Sequence, residues 1–185
     1  MTACMAGERV KTIVIAILTV VALLCGCTAR SSSEGQKAGL RSVYVERVPD
    51  GDTVEANIQG TVERIRLIGI DAPELEQRPW GKRSKKFLQD LVAASGWQLG
   101  IEYDVEKRDK HDRILAYLWA RDGKMINEEI VRNGYAVLFT FPPNVKYADR
   151  LIAAQVIARE NKIGIWGKDG LKQLPSDYRK EHPRM

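Results

Sequence analysis

Cysteine is missing from the body of this chain. All three of its cysteines lie at positions 4, 25 and 27, so nothing downstream can form a disulfide framework or a Cys-based zinc site. Histidine is almost as scarce: His111 and His182 are the only two, too few for a transition-metal centre. The apolar run from Ile13 to Leu24 stops short of the roughly 20 residues that a membrane span needs. No internal repeat is visible. These absences leave a protein that is stabilised by a packed core and that binds any metal through oxygen.

The first 27 residues read as an export signal rather than as part of a fold. Arg9 and Lys11 precede the apolar run, and Leu24-Cys25-Gly26-Cys27 follows it. Those last four residues resemble a bacterial lipobox, with Cys27 as the residue that would be lipidated and become the mature N-terminus. Cleavage near Gly26 by an ordinary signal peptidase is the alternative. Residues 28–39, TARSSSEGQKAG, are rich in Ser and Gly and without periodicity, which suits a flexible linker. The expected product is exported and anchored to a membrane facing the periplasm or cell exterior, with plain secretion as the alternative. Net charge is +5, a modest excess of the sign that a polyanion binder needs.

What remains is enough for one compact core and too little for two ordinary domains. Five segments read as strands: Arg41 to Val48, Thr53 to Gln59, Val62 to Ile70, Trp97 to Val105 and Arg113 to Ala120. Phe87, Leu88, Leu91 and Val92 recur at helical spacing before Gly96. Two further helical patterns span about Ile126 to Arg132 and Tyr147 to Glu160. Strands first and helices mostly later predict an α+β fold, and five strands with a helix after the third fit a small OB-type barrel with three helices. The main domain is placed at 40–167. A polar tail follows at 168–185, expected to pack back partly through Leu174 and Tyr178.

The chemistry concentrates in DGDTVEANIQGTVERIRLIGIDAPE. A hairpin folding about Gly60 would oppose residues whose numbers sum to roughly 121, setting Asp52 against the stretch from Gly69 to Asp71. Two carboxylates brought that close call for a cation, and oxygen-only ligands favour a hard ion such as Ca²⁺ or Mg²⁺. Arg66 and Arg113 present planar, permanently charged forks that suit a phosphate. Glu74, fixed by Pro73, is the candidate general base.

In order, DGDT, RLIGIDAPE, DKHDRILAYLWARDGKMINEEIVRNG and IGIWG resemble the staphylococcal nuclease (thermonuclease) family across about residues 40 to 167. The resemblance implies an OB-type barrel and a Ca²⁺-dependent endonuclease. It would hydrolyse phosphodiester bonds of DNA and RNA with little sequence preference, leave 3′-phosphates and act as a monomer. It implies that Asp52 and Asp71 ligate Ca²⁺ with the backbone carbonyl of Ala72, where the family often has Thr. It implies that Glu74 activates or orders the attacking water and that Arg66 and Arg113 neutralise the phosphate. Lys110, His111, Phe139 and Phe141 fall where the family contacts substrate, the two Phe standing where Tyr is usual. Asp112 occupies a position where glycine is common and sets a negative charge next to Arg113. The rival reading is a non-catalytic OB-type nucleic-acid-binding surface lipoprotein.

Overall fold

The computed structural model describes residues 39–183; the expected export signal, Cys27 and nearly all of the linker lie outside them. Five strands close into a barrel in the order β1-β2-β3-β6-β5: β1 Arg41–Arg47, β2 Thr53–Ile58, β3 Thr61–Leu67, β5 Gln98–Glu102 and β6 Ile114–Trp119. A small second sheet pairs β4 Gly69–Asp71 with β7 Val137–Phe139. The helices are α1 Trp80–Ala94, α2 Ile126–Arg132, α3 Ala148–Glu160 and α4 Pro175–Glu181, so four are found among the described residues where three were expected. None of them is long and apolar enough to cross a membrane.

Strand patterning explains the barrel. Val43 and Val45, then Val54 and Ala56, then Ile65 and Leu67 alternate inward and are at most 2% exposed, and Leu99, Ala116 and Leu118 complete the filling. Each fully buried large aliphatic side chain contributes about 1.5–3 kcal/mol. The β2–β3 turn is made by Gln59 and Gly60, with φ of 56° and 89°. Two consecutive positive φ values give a tight hairpin whose twist matches that of its strands.

That turn sets the register. Thr53 pairs with Arg66 and Val54 with Ile65, two residues short of the expected pairing. Asp52 therefore lies opposite Leu67, whose amide donates to the Asp52 carbonyl at 2.9 Å. The third strand also does not run on to Ile70. It breaks after Leu67, Gly69 takes a φ of 81°, and β4 leaves the barrel to pair with β7. A short apolar run cannot reveal such a break, because both pieces are buried.

The helices dock by simple stripes. Trp80, Ser84, Leu88 and Val92, spaced by four, form the buried face of α1, and the Ser84 hydroxyl donates to the Tyr135 carbonyl at 2.6 Å. In α3 the buried stripe is Leu151, Ala154 and Ala158, while Ile152 and Val156 are exposed. The tail, expected to pack through Leu174 and Tyr178, is ordered differently. Pro175 opens α4 and is its buried residue, Leu174 is exposed, and Tyr178 stacks on His182 with centroids 4.2 Å apart.

Candidate functional site

A cleft of about 1020 Å³ runs along one side of the barrel. It gathers the turn between β1 and β2, the stretch from β3 through Glu74, the loop before β6, the β7 rim and α4. At its floor, Arg66 Nη2 lies 3.1 Å from Asp52 Oδ2 and 3.3 Å from Asp71 Oδ1. The two acids thus meet, though not by hairpin pairing. They meet because the break at Gly69 turns the chain back so that the Ala72 amide donates to Asp52 Oδ2 at 2.8 Å. Close packing is built in at Gly51, where a Cβ would lie 2.7 Å from the Cβ atoms of both Ala72 and Ser84.

Charge is buried here at a cost. Asp71 is 1% exposed and Asp52 8%. Burial pushes the Asp71 carboxyl up, against the hydrogen bonds of Arg179 and the charge of Arg66. Asp50, whose carboxylate accepts the Asp52 amide at 3.1 Å, is pushed up to about 6, first by burial and then by the charge of Asp52.

Arg113 lines the same cleft, and its guanidinium is held by Asp109, with Nε donating to Oδ2 at 2.8 Å and Nη2 lying 2.7 Å from the same oxygen. The Asp109 carboxylate also accepts the amides of His111 and Arg113 at 2.9 and 3.0 Å. Burial raises the Asp109 carboxyl, but Arg113 and these amides together hold it below its ordinary value. Asp112 does not face Arg113. Its carboxylate is 86% exposed and lies 3.3 Å from Arg108, and its φ of 60° is the left-handed conformation that glycine adopts most readily. Lys110 and His111 are exposed on this loop. Phe139 and Phe141, 48% and 73% exposed, stand on the β7 side of the cleft.

A family model described as staphylococcal nuclease homologue matches residues 64–168. Over 130 residues the chain is 37% identical to the thermonuclease of Staphylococcus intermedius, covering 68% of this chain and 76% of that protein. The chain belongs to the staphylococcal nuclease family. It is also 34% identical over 145 residues to endonuclease YncB of Bacillus subtilis, covering 75% of this chain and 67% of that protein. With the thermonuclease of Staphylococcus hyicus it shares 32% identity over 170 residues, covering 86% and 98%.

As a member of the staphylococcal nuclease family, the chain has three site features that its motifs did not reveal. Asp109 anchors Arg113. Asn127, fully buried in α2, donates from Nδ2 to the Ile68 carbonyl at 2.9 Å and accepts the Leu118 amide on Oδ1 at 3.0 Å. It thereby fixes the break that positions Asp71. The third is Arg179 of α4, which reaches over a hundred residues back. Its Nη1 donates to Asp71 Oδ1 at 3.0 Å and to Glu74 Oε1 at 2.8 Å, and its Nη2 donates to Asp71 Oδ2 at 2.8 Å.

The donors at the floor are all oxygen, which suits a hard cation. Among the described residues no group of three or more His, Cys, Asp or Glu stands ready to hold one. A cation resting on Asp52 and Asp71 would fill its shell with backbone carbonyl and water oxygens, which both Ca²⁺ and Mg²⁺ accept. The residues present fit such an ion.

Proposed function

We propose that this protein is a Ca²⁺-dependent nuclease that hydrolyses phosphodiester bonds of DNA and RNA with little sequence preference. The observation that carries the reading is Arg66. One guanidinium touches the carboxylates of Asp52, from the turn after β1, and Asp71, at the end of β4, in a cleft that also holds a second, carboxylate-anchored guanidinium on Arg113. Acids without a phosphate partner suggest a cation site alone, and arginines alone suggest an anion site. Together in one cleft they suit a metal-assisted phosphoryl reaction.

Asp52, Asp71 and the Ala72 carbonyl would hold Ca²⁺, which when bound supplies Lewis-acid polarisation of a phosphoryl oxygen. Arg66 and Arg113 neutralise the negative charge that develops on the phosphate, and Asp109 keeps Arg113 aimed without drawing it into the reaction. Glu74 takes the proton from, or orders, a water whose oxygen bonds to phosphorus as the bond to the departing 5′-oxygen breaks. The departing oxygen takes a solvent proton, giving a 5′-hydroxyl and a 3′-phosphate. Phe139 and Phe141 offer stacking faces for bases, with Lys110 and His111 beside the strand. Stacking is tolerant of sequence because every base has a π-face. Export with lipidation at Cys27 belongs to the same reading, and mass spectrometry of the mature N-terminus checks it.

The test is digestion of heat-denatured DNA and of RNA in Ca²⁺ against a chelator. Glu74→Gln and Arg113→Ala are each expected to lower the rate by at least about a hundredfold, the range of a lost general base or a lost charge stabiliser. Equal digestion by wild type and both variants, or digestion untouched by chelator, would refute it.

A further inference from the structure

The C-terminal helix puts a positive charge where the metal reading needs one. Arg179 consumes both oxygens of Asp71 and one of Glu74 through two nitrogens, at 2.8–3.0 Å. A guanidinium is a monovalent cation of fixed shape, and here it is tethered to the chain. A divalent ion on Asp71 would sit within a few ångströms of it, and like charges at that range repel. Glu74 faces the same conflict. While it accepts from Arg179, its Oε1 is engaged by a donor and is poorly placed to take a proton from water.

The helix that carries Arg179 is held lightly. It has seven residues, Pro175 is its buried one, and Leu174 before it is exposed. The segment leading to it is fastened upstream, by the Gln77 side chain donating to the Gln173 carbonyl at 2.9 Å and by Trp80 donating to the Asp169 carbonyl at 3.1 Å. Those anchors lie before the helix, so α4 can lift without disturbing them. Within the helix, Pro175 is buried and Ser176 to Arg179 are half-buried, and the Arg179 side chain, which carries the bonds to Asp71 and Glu74, is 40% exposed.

We infer that Arg179 is a displaceable latch: its guanidinium neutralises Asp71 and Glu74 when no divalent cation is bound, and cation binding and α4 docking exclude one another. This rests on Asp52 and Asp71 being the cation site. The latch keeps the buried Asp71 and the half-buried Glu74 paired while no cation is bound and releases Glu74 only once a cation has arrived. If the latch is closed in about nine molecules of ten, it weakens cation affinity about tenfold.

Calorimetric titration with Ca²⁺, without nucleic acid, of the full wild-type chain and of Arg179→Met tests this directly. The variant keeps the stem and loses the charge, and it is expected to bind about tenfold more tightly. A chain ending at Leu174 is the second variant and is expected to behave likewise. In parallel, amide hydrogen exchange across residues 175–181 of the wild type should speed up when Ca²⁺ is added. Unchanged or weaker Ca²⁺ binding by both variants overturns the latch, as does helix protection that Ca²⁺ leaves unaltered. If neither wild type nor variants bind Ca²⁺, the cation reading of Asp52 and Asp71 fails and the latch falls with it, an outcome distinct from binding that simply ignores Arg179.

Discussion

Asn127→Leu is expected to destabilise the fold by about 3 kcal/mol and to loosen the site that Asn127 never touches. The amide is fully buried and bridges β6 and the break between β3 and β4. Its oxygen accepts the Leu118 amide and its nitrogen donates to the Ile68 carbonyl. A third, longer contact reaches the Ala116 carbonyl at 3.4 Å, but that oxygen keeps the Ile68 amide as a donor at 3.0 Å. Leucine, close in volume, thus takes partners from one amide and one carbonyl. Each buried group so left costs about 1–3 kcal/mol, and the extra apolar burial offsets about 1 kcal/mol. Urea unfolding should show a lower midpoint at unchanged slope, with a fall in Tm of roughly 10 °C for a domain of this size. Hydrogen exchange should rise first in the segment from Ile68 to Ala72, because that carbonyl is the pin on the strand break. A loss below about 1 kcal/mol, or exchange that rises uniformly, would refute the claim that this one side chain fixes the turn carrying Asp71.

Three further outcomes follow from the same geometry. Asp50→Asn should stabilise the protein by about 1–2 kcal/mol at pH 8. Because the carboxyl is pushed up to about 6, its ionised form costs the folded state most above that pH. The gain should fade as pH falls through 6 and vanish near the ordinary value of 3.8, which thermal melts from roughly pH 4 to 8 can read. Gly69→Ala combines a φ of 81° with a Cβ 2.4 Å from Leu151 Cδ1, so a loss of about 2–4 kcal/mol is expected in denaturant, and a loss under about 0.5 kcal/mol would mean that the break does not need glycine. Asp109→Asn leaves Arg113 without its anchoring charge. Turnover on DNA should drop about tenfold while calorimetric Ca²⁺ affinity stays put, and an equal loss of both would place Asp109 in the cation site instead.

The barrel was legible because its signals are local and repeated. Alternating Val and Ile positions mark β1 to β3, Asn133-Gly134 stops α2, and the Gln59-Gly60 turn needs only two residues to declare itself. The break after Leu67 was not legible. Ile65, Leu67, Ile68 and Ile70 are all buried, so the hydrophobic pattern reads as one strand whether or not it bends, and Gly69 alone does not distinguish a bulge from a break. What decides is Asn127, nearly sixty residues away, and a lone Asn in an amphipathic helix carries no local signal of such a role. The tail packs back as expected, but through Pro175 rather than Leu174, for a related reason. PSDYRKE offers little apolar surface, and its helix is held at the barrel by Pro175 and by charge rather than by a stripe.

The same distinction explains why the acids and arginines of the site could be found while their partners could not. Asp52, Arg66, Asp71, Glu74 and Arg113 sit in motifs whose order and spacing are visible along the chain. Their electrostatic balance is not. Asp71, at 1% exposure, cannot remain ionised without nearby positive charge, and that requirement was foreseeable, but sequence assigned it wholly to a metal. In the folded chain the requirement is met twice, by Arg66 from the adjoining strand and by Arg179 from the far end. A site neutralised by its own side chains is stable before any cation arrives. A cation that bound there would have to offer more than neutralisation: a second positive charge and open coordination positions for water, which no guanidinium provides.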